Sequence, residues 1–352
     1  MRKESLDFLK QLMDAASPSG FEQPAQRVFR GYVAEFAEEV RTDVHGNATA
    51  LLNPGGKLRV MLAGHCDEIG LMVNHIEDSG FIRFAVIGGI DQSLLPGARV
   101  LVHSKKGPVL GVIGKKPIHL MKPEERKKVA EVKHLWIDIG VRKKADAEKV
   151  VELGDPVTVA AGFEVLRGDL AVSRGFDDKI GTFVVAETVR VLSGKKLRAA
   201  VFGVSTVQEE IGLRGAQTSA FGIDPHVGIA IDVGFASDFP GADKSEIGEV
   251  SLGKGPILHR GANINPVLGE HLVKTAKSQK IPYQMQPAPK ATGTDANAMQ
   301  VTRAGVAAAV VSIPNRYMHT PVEVVSLRDV ENAAKLLAAA IEKMSEKMDF
   351  TP

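Results

Sequence analysis

The stretch LRVMLAGHCDEIG, residues 58–70, decides how this chain is read. Leu58 to Ala63 is a short apolar run between turn signals, the pattern of a strand buried on both faces. Directly after it stand His65, Cys66, Asp67 and Glu68. The same arrangement recurs downstream. Ala199 to Ser205 runs into Glu209 and Glu210, Val227 to Ile231 ends in Asp232, and Ala307 to Ile313 leads to His319. A further cluster, Arg174-Gly175-Phe176-Asp177-Asp178-Lys179, lies just before a helix expected from about Asp178 to Leu192. Strands alternating with helices predict an α/β domain whose sheet is mostly parallel, with helices on both faces. In such sheets ligands bind outside the carboxyl ends of the strands, where these residues would gather.

Working outward, Leu6, Leu9, Leu12 and Met13 give the N-terminus one apolar helical face, broken at Ser17-Pro18-Ser19-Gly20. A second helix is expected from about Pro24 to Phe36 and a strand near Ala48 to Leu52. Between about Ile69 and Val159 the character changes. Phe81 to Ile87, Arg99 to His103, Pro108 to Ile113, Leu135 to Ile139 and Pro156 to Val159 are short β-rich runs separated by Gly, Asp and Pro. That spacing predicts a small antiparallel barrel or sandwich. The domain reading is therefore residues 1–66 and 163–352 as the α/β domain, with 67–162 inserted. Lys122 to Lys128 reads as a solvated surface loop. Toward the end, Pro266 to Ser278 is expected to be helical, and Ser326 to cap a closing helix whose apolar face holds Val330, Ala334, Leu337 and Ala338.

Composition narrows the function classes. The 44 Lys and Arg nearly balance 42 Asp and Glu, so no basic field points to nucleic acid or an acidic membrane. No stretch approaches the roughly 18 apolar residues needed to span a bilayer. The N-terminus lacks the plan of a signal peptide. Cys66 is the only cysteine, which excludes an internal disulfide, fits a cytoplasmic location, and leaves His and carboxylates as the available metal ligands.

Taken singly, an Asp after a strand is commonly a cap or turn former, and paired Glu residues are commonly a solvated surface. Their coincidence at one rim carries the argument. Like charges gathered there cost several kcal/mol unless cations neutralise them. His65, Asp177, Glu210, Asp232 and His319 supply the nitrogen and oxygen donors that zinc, cobalt or manganese accept. Five such ligands suit two ions sharing one carboxylate, a device for activating water against a carbonyl. Such a water needs a base that is not a ligand, and Glu209 beside Glu210 is placed for that. Asp67, two residues beyond His65, either fixes the His65 ring by accepting its other N–H or is itself a ligand.

These segments resemble the co-catalytic metallo-aminopeptidases of metallopeptidase family forty-two, the tetrahedral, glutamyl or deblocking aminopeptidases. The matching stretches are Gly64 to Gly70, Phe176 to Gly181, Val207 to Gly215, Ile231 to Gly234, Gly293 to Ala296 and Arg316 to Pro321, in the family's order. The resemblance implies a phosphorylase/hydrolase-like catalytic domain with an inserted small β-barrel domain for dimerisation. It implies two divalent metal ions, zinc or cobalt, with Asp177 as the bridging carboxylate and His65 and His319 as terminal ligands, one on each ion. Glu210 and Asp232 complete the set, and Glu209 is the general base. It implies short peptides as substrates, a peptide between Asp177 and Asp178 that is often cis, and dimers assembling into a twelve-subunit tetrahedral shell. Thr294, Asp295 and Arg316 are the candidates for touching substrate.

Three other readings compete. An N-acyl amino acid deacylase or carboxypeptidase shares the metal logic but needs a cationic clamp, which Arg316 could supply. A glycoside hydrolase needs two carboxylates about 5–9.5 Å apart across a sugar, a poor use of chain neighbours Glu209 and Glu210. A metal-free scaffold would leave the ligand set without a purpose.

Overall fold

The computed structural model describes residues 1–352. Four parallel strands form the centre of an 11-stranded sheet, in the spatial order Ala199–Thr206, Leu58–His65, Val227–Phe235, Ala307–Arg316. Ala199–Thr206 is buried throughout, and Leu58–His65 is buried except at Arg59. This is why they read as continuous apolar runs rather than alternating ones. Parallel character is confined to this centre and to the side pair Ile257–Gly261 with Gln284–Ala288. Ala48–Leu52 joins Ala199–Thr206 antiparallel, and Glu323–Ser326 joins Ala307–Arg316 antiparallel.

Register sets the height of each polar residue. Thr206 pairs with His65, Ala230 with Ala63, and Asp232 with Ser312. The Val227–Phe235 strand runs four residues past the expected end at Ile231, because its pairing with Ala307–Arg316 continues to Phe235 and Asn315. Asp232 therefore lies inside a strand, not after one.

Both faces of the centre are covered. The Phe176–Leu192 helix crosses one face so closely that a Cβ on Gly64 would lie 2.4 Å from the Gly181 carbonyl carbon. Glycine at both positions is what admits the helix. Lys3–Asp14, Gln23–Val33 and Leu327–Lys343 pack around it, the last capped by Ser326 as expected. On the opposite face Asp295–Gln300 and Arg214–Ile223 pack together, and a Cβ on Gly228 would meet Met299.

Six antiparallel strands close the inserted barrel in the order Gly70–Ile76, Ile82–Ile87, Trp136–Asp138, Gly107–Gly114, Arg99–Ser104, Pro156–Val159. Its 14-residue apolar cluster, including Leu71, Phe84 and Ile137, is separate from the 60-residue cluster of the α/β part, so each part has its own core. Gly70–Ile76 escaped the sequence reading because Asn74 and His75 interrupt its alternation, and its register shifts between Val73 and His75. Lys122 to Lys128 holds the short exposed helix Pro123–Arg126.

A buried ion cluster marks the joint between the two parts. Glu68 Oε1 accepts from Lys179 Nζ at 2.8 Å and from the Ser17 N–H at 3.0 Å, while Arg174 Nε lies 3.4 Å from Oε2. Breaking one partner of such a buried group costs on the order of 3–5 kcal/mol. No helix is long and apolar enough to cross a membrane.

Candidate metal centre

His65 closes its strand and Asp232 sits within the neighbouring one, on the same sheet face, held by ladder register. Glu209 and Glu210 follow Thr206 in a turn that begins at Gln208, whose φ is +57°. Asp177 opens the Phe176–Leu192 helix, and its peptide bond to Asp178 is cis. His319 lies beyond Ala307–Arg316 in a loop where Tyr317 and His319 both adopt left-handed backbone, φ +65° and +61°.

These six side chains converge as two groups of potential ligand atoms, each within 4.8 Å: His65, Glu209 and Asp232; and Asp177, Glu210 and His319. Asp177 reaches both imidazoles, with Oδ1 3.3 Å from His65 Nε2 and Oδ2 3.2 Å from His319 Nε2. Glu209 Oε2 is 3.7 Å from His65 Nε2, and Glu210 Oε2 is 3.6 Å from His319 Nε2.

The supporting contacts are as specific as the groups they support. Asp67 does not chiefly hold the His65 ring with its carboxylate. The ring Nδ1 donates to the Asp67 main-chain oxygen at 3.1 Å, with the carboxylate farther away at 3.5 Å. The Asp67 carboxylate instead accepts from the Glu209 N–H (3.0 Å), the Glu210 N–H (3.2 Å) and Ser19 Oγ (2.7 Å). It is the post around which the Glu209–Glu210 turn is built. Asp178 accepts from the His65 N–H at 3.2 Å. Glu323, which the sequence reading missed, accepts from the Asp177 N–H with one oxygen and from the His319 N–H with the other, both at 2.9 Å. Its only signal was an acid two residues after Pro321.

Electrostatics expose the crowding. Burial, then Asp232, Asp295 and Glu210, pushes the Glu209 carboxyl up to about 10. Burial and Asp177 push Glu210 up to about 8. The hydrogen bond to Asp177 lifts His319 to about 9. Burial opposes a charged His65, but Glu209, Asp177 and Asp67 outweigh it and raise it. Burial opposes a charged Asp177 too, yet the two imidazoles hold its carboxyl below the usual range. Protons thus stand where cations would relieve the same repulsion. The donor set fits divalent ions of the zinc or cobalt type. It offers nitrogen and oxygen only, both Nε2 atoms face carboxylates, and Glu210 Oε1 is buried without a hydrogen-bond partner.

The six residues of the centre line a cavity of about 570 Å³. Thr294 lines it while also capping the Asp295–Gln300 helix. Asp295 does not line it: its Oδ2 accepts from Thr206 Oγ1 at 2.6 Å beneath the site. Arg316 is also out of place as a substrate contact. Its guanidinium makes two 2.7 Å bonds to the Asp238 carboxylate, which fixes it away from the cavity. His259, not anticipated as a site residue, lines the cavity with Nε2 2.9 Å from Ser312 Oγ, and burial lowers it to about 4, so it is neutral at pH 7.

Comparisons with known proteins agree with this architecture. A family model described as M42 glutamyl aminopeptidase matches residues 46–336. Lysyl aminopeptidase of Pyrococcus furiosus is 39% identical over 349 residues, 98% of this chain and 99% of that protein. Among solved structures, the TET aminopeptidase of a marine sediment archaeon of the Thaumarchaeota superposes with a TM-score of 0.94 at 37% identity, covering 98% of each chain. The TET1 peptidase of Pyrococcus horikoshii, which can assemble into a tetrahedron or a large octahedral shell, gives a TM-score of 0.87 at 32% identity over 97% of this chain and 100% of that one. A sheet of this topology with an inserted barrel, and a cluster of candidate metal ligands near the ends of its central strands, match a peptidase of the metal-dependent class. The chain belongs to the M42 family of aminopeptidases.

Proposed function

We propose that the chain is a two-metal aminopeptidase that removes N-terminal residues from short peptides, with Glu209 as general base. The observation that carries this reading is the Asp177 carboxylate reaching both His65 and His319, with Glu209 beside the first. His65, Asp232 and Asp177 would hold one ion; His319, Glu210 and Asp177 the other. Two such ions would supply a Lewis acid for the scissile carbonyl and lower the pKa of a bound water.

The residues of the chain do the rest. Glu209, anchored through its N–H to Asp67, takes the proton of the attacking water and delivers it to the leaving amine. The carboxylates that line the cavity favour a cationic free α-amino group over a substrate carboxylate. No arginine lines the cavity and Arg316 is bound to Asp238, which leaves Lys290 as the one lysine or arginine of the lining and weighs against the clamp that Arg316 would have given a deacylase or carboxypeptidase. Thr294 and His259 are among the polar side chains that the cavity offers to the substrate, with Gln286, Lys290 and Thr292. A cytoplasmic location and dimers assembling through the barrel into a tetrahedral dodecamer complete the reading; the tetrahedral shell described for Pyrococcus horikoshii TET1 supports the assembly. A panel of aminoacyl-anilides and N-acyl amino acids, assayed with added zinc, cobalt or manganese, tests it. Turnover confined to N-acyl substrates would overturn it.

A further inference from the structure

The inserted barrel touches the metal centre directly. After the barrel strand Ile82–Ile87 the chain passes through Gly88 and Gly89 and returns at Asp91 to the barrel. At Gly89 its main-chain oxygen lies 2.7 Å from Nδ1 of His319, a residue 230 positions away. A carbonyl oxygen can only accept, so Nδ1 carries the proton and donates. Nε2 faces Asp177 and Glu210, and it is this nitrogen whose lone pair becomes free for an ion when the imidazolium gives up its second proton. The approach is tight enough that a side chain at this position would press on the ring. A Cβ on Gly89 would lie 3.3 Å from Nδ1 and 3.4 Å from Cε1 of the same ring. At Gly88, where φ is +73°, a Cβ would lie 2.8 Å from Ile69 Cγ2 and 3.4 Å from Glu210 Oε2.

His319 needs such a brace more than His65 does. Its side chain is 37% exposed against 2% for His65, and its backbone stands in a left-handed conformation. The Glu323 bond fixes its main chain but not its ring. Two bonds separate the main chain from the imidazole plane, so an unbraced ring would sample several rotamers. A hydrogen bond to the remote ring nitrogen selects both tautomer and orientation, the contact by which ligand histidines are generally tuned.

We propose that Gly89 is a positioning residue of the metal centre: its main-chain oxygen, carried in by the inserted barrel, orients His319 for the ion shared with Asp177 and Glu210. The barrel is then part of the active site as well as a separate folding unit, and this half of the centre is complete only while the barrel is docked. The inference rests on the two-metal reading above.

The test uses the full-length chain and cobalt alone. Wild-type chain and Gly89→Ala are titrated with cobalt, following bound ion and visible absorption. Gly55→Ala, where a Cβ meets nothing, serves as the glycine control. Gly89→Ala should keep its first ion and bind its second about 10–100-fold more weakly, with an altered absorption band. Thermal melting shows whether the variant is folded. Should it fail to fold, nitrogen NMR of the His319 ring in the zinc-loaded wild-type chain replaces it, and a protonated Nδ1 is expected. An unchanged second affinity and spectrum, or a His319 protonated on Nε2, overturns the role of Gly89 alone. A wild-type chain that binds no second ion overturns the two-metal reading with it.

Discussion

The two halves of the metal centre are built by different means. His65 and Asp232 project from adjacent central strands, are almost wholly buried, and inherit their positions from ladder register. Asp177, Glu210 and His319 stand on a helix start and two loops, and His319 is more than a third exposed. The second group is held by a few dedicated acceptors: Glu323 for the main chain of Asp177 and His319, Asp67 for that of Glu210, and Gly89 for the His319 ring. Rigidity comes free with a buried parallel sheet, whereas loops must be given it contact by contact. The strand-built half should therefore tolerate loss of its neighbours, while the loop-built half should fail through residues that touch no ion.

The largest expected effect lies at Glu209, which sits among the strand-built ligands but is read as a base. Glu209→Gln should lower kcat by roughly 10²–10⁴-fold while the chain still binds two ions. Loss of an ion instead would make Glu209 a ligand, an assignment its 3.7 Å approach to His65 also permits. Next comes Glu323→Gln, which removes one of two backbone acceptors in the loop-built half. About 10-fold weaker binding of the ion at His319 and Glu210, with a smaller loss at the other ion through their shared Asp177, is the expected result in a chelator competition. Equal weakening of both would break the distinction between the halves.

A pH series follows. Before an ion binds, Glu210 at about 8 and His319 at about 9 both hold protons at pH 7, and ligation requires them to leave. Affinity should thus rise with pH and level off above about 9, changing about 10-fold per pH unit for each proton released. Calorimetry in buffers of different ionisation enthalpy counts those protons; an affinity that does not vary between pH 6 and 8 would contradict the crowding described above. The smallest effect belongs to Arg316→Ala. Breaking its partly exposed pair with Asp238 should cost about 1 kcal/mol of stability or less and leave kcat/KM on aminoacyl-anilides nearly unchanged. A large rise in KM would return Arg316 to the substrate site.

Much of the centre was legible because a buried parallel strand announces itself as an apolar run, and whatever follows it is delivered to one rim. His65, Glu209, Glu210 and His319 were placed at one rim that way, and the structure brings them together. Asp232 was found for a slightly wrong reason, since its strand continues to Phe235. Glu323, His259 and Gly89 were not found. Glu323 looks like any strand-end acid, His259 sits on a short side strand, and Gly89 acts through a main-chain oxygen that every residue possesses. The Arg316–Asp238 pair was not legible because a guanidinium near a ligand loop reads the same whether it faces substrate or a carboxylate of its own chain.

By itself the sequence determined the strand-and-helix rhythm, the inserted β segment and the identity of the ligand-type side chains. Those are properties of local periodicity and of chemistry carried by single residues. Only the tertiary structure decided that Asp67 serves the Glu209–Glu210 turn more than the His65 ring, that Asp177 reaches both imidazoles, and that the barrel braces His319. These are contacts between main-chain groups and residues up to 230 positions apart, fixed by how the two cores dock. Backbone donors and acceptors are the same in every residue, so nothing in the order of side chains records which of them will meet.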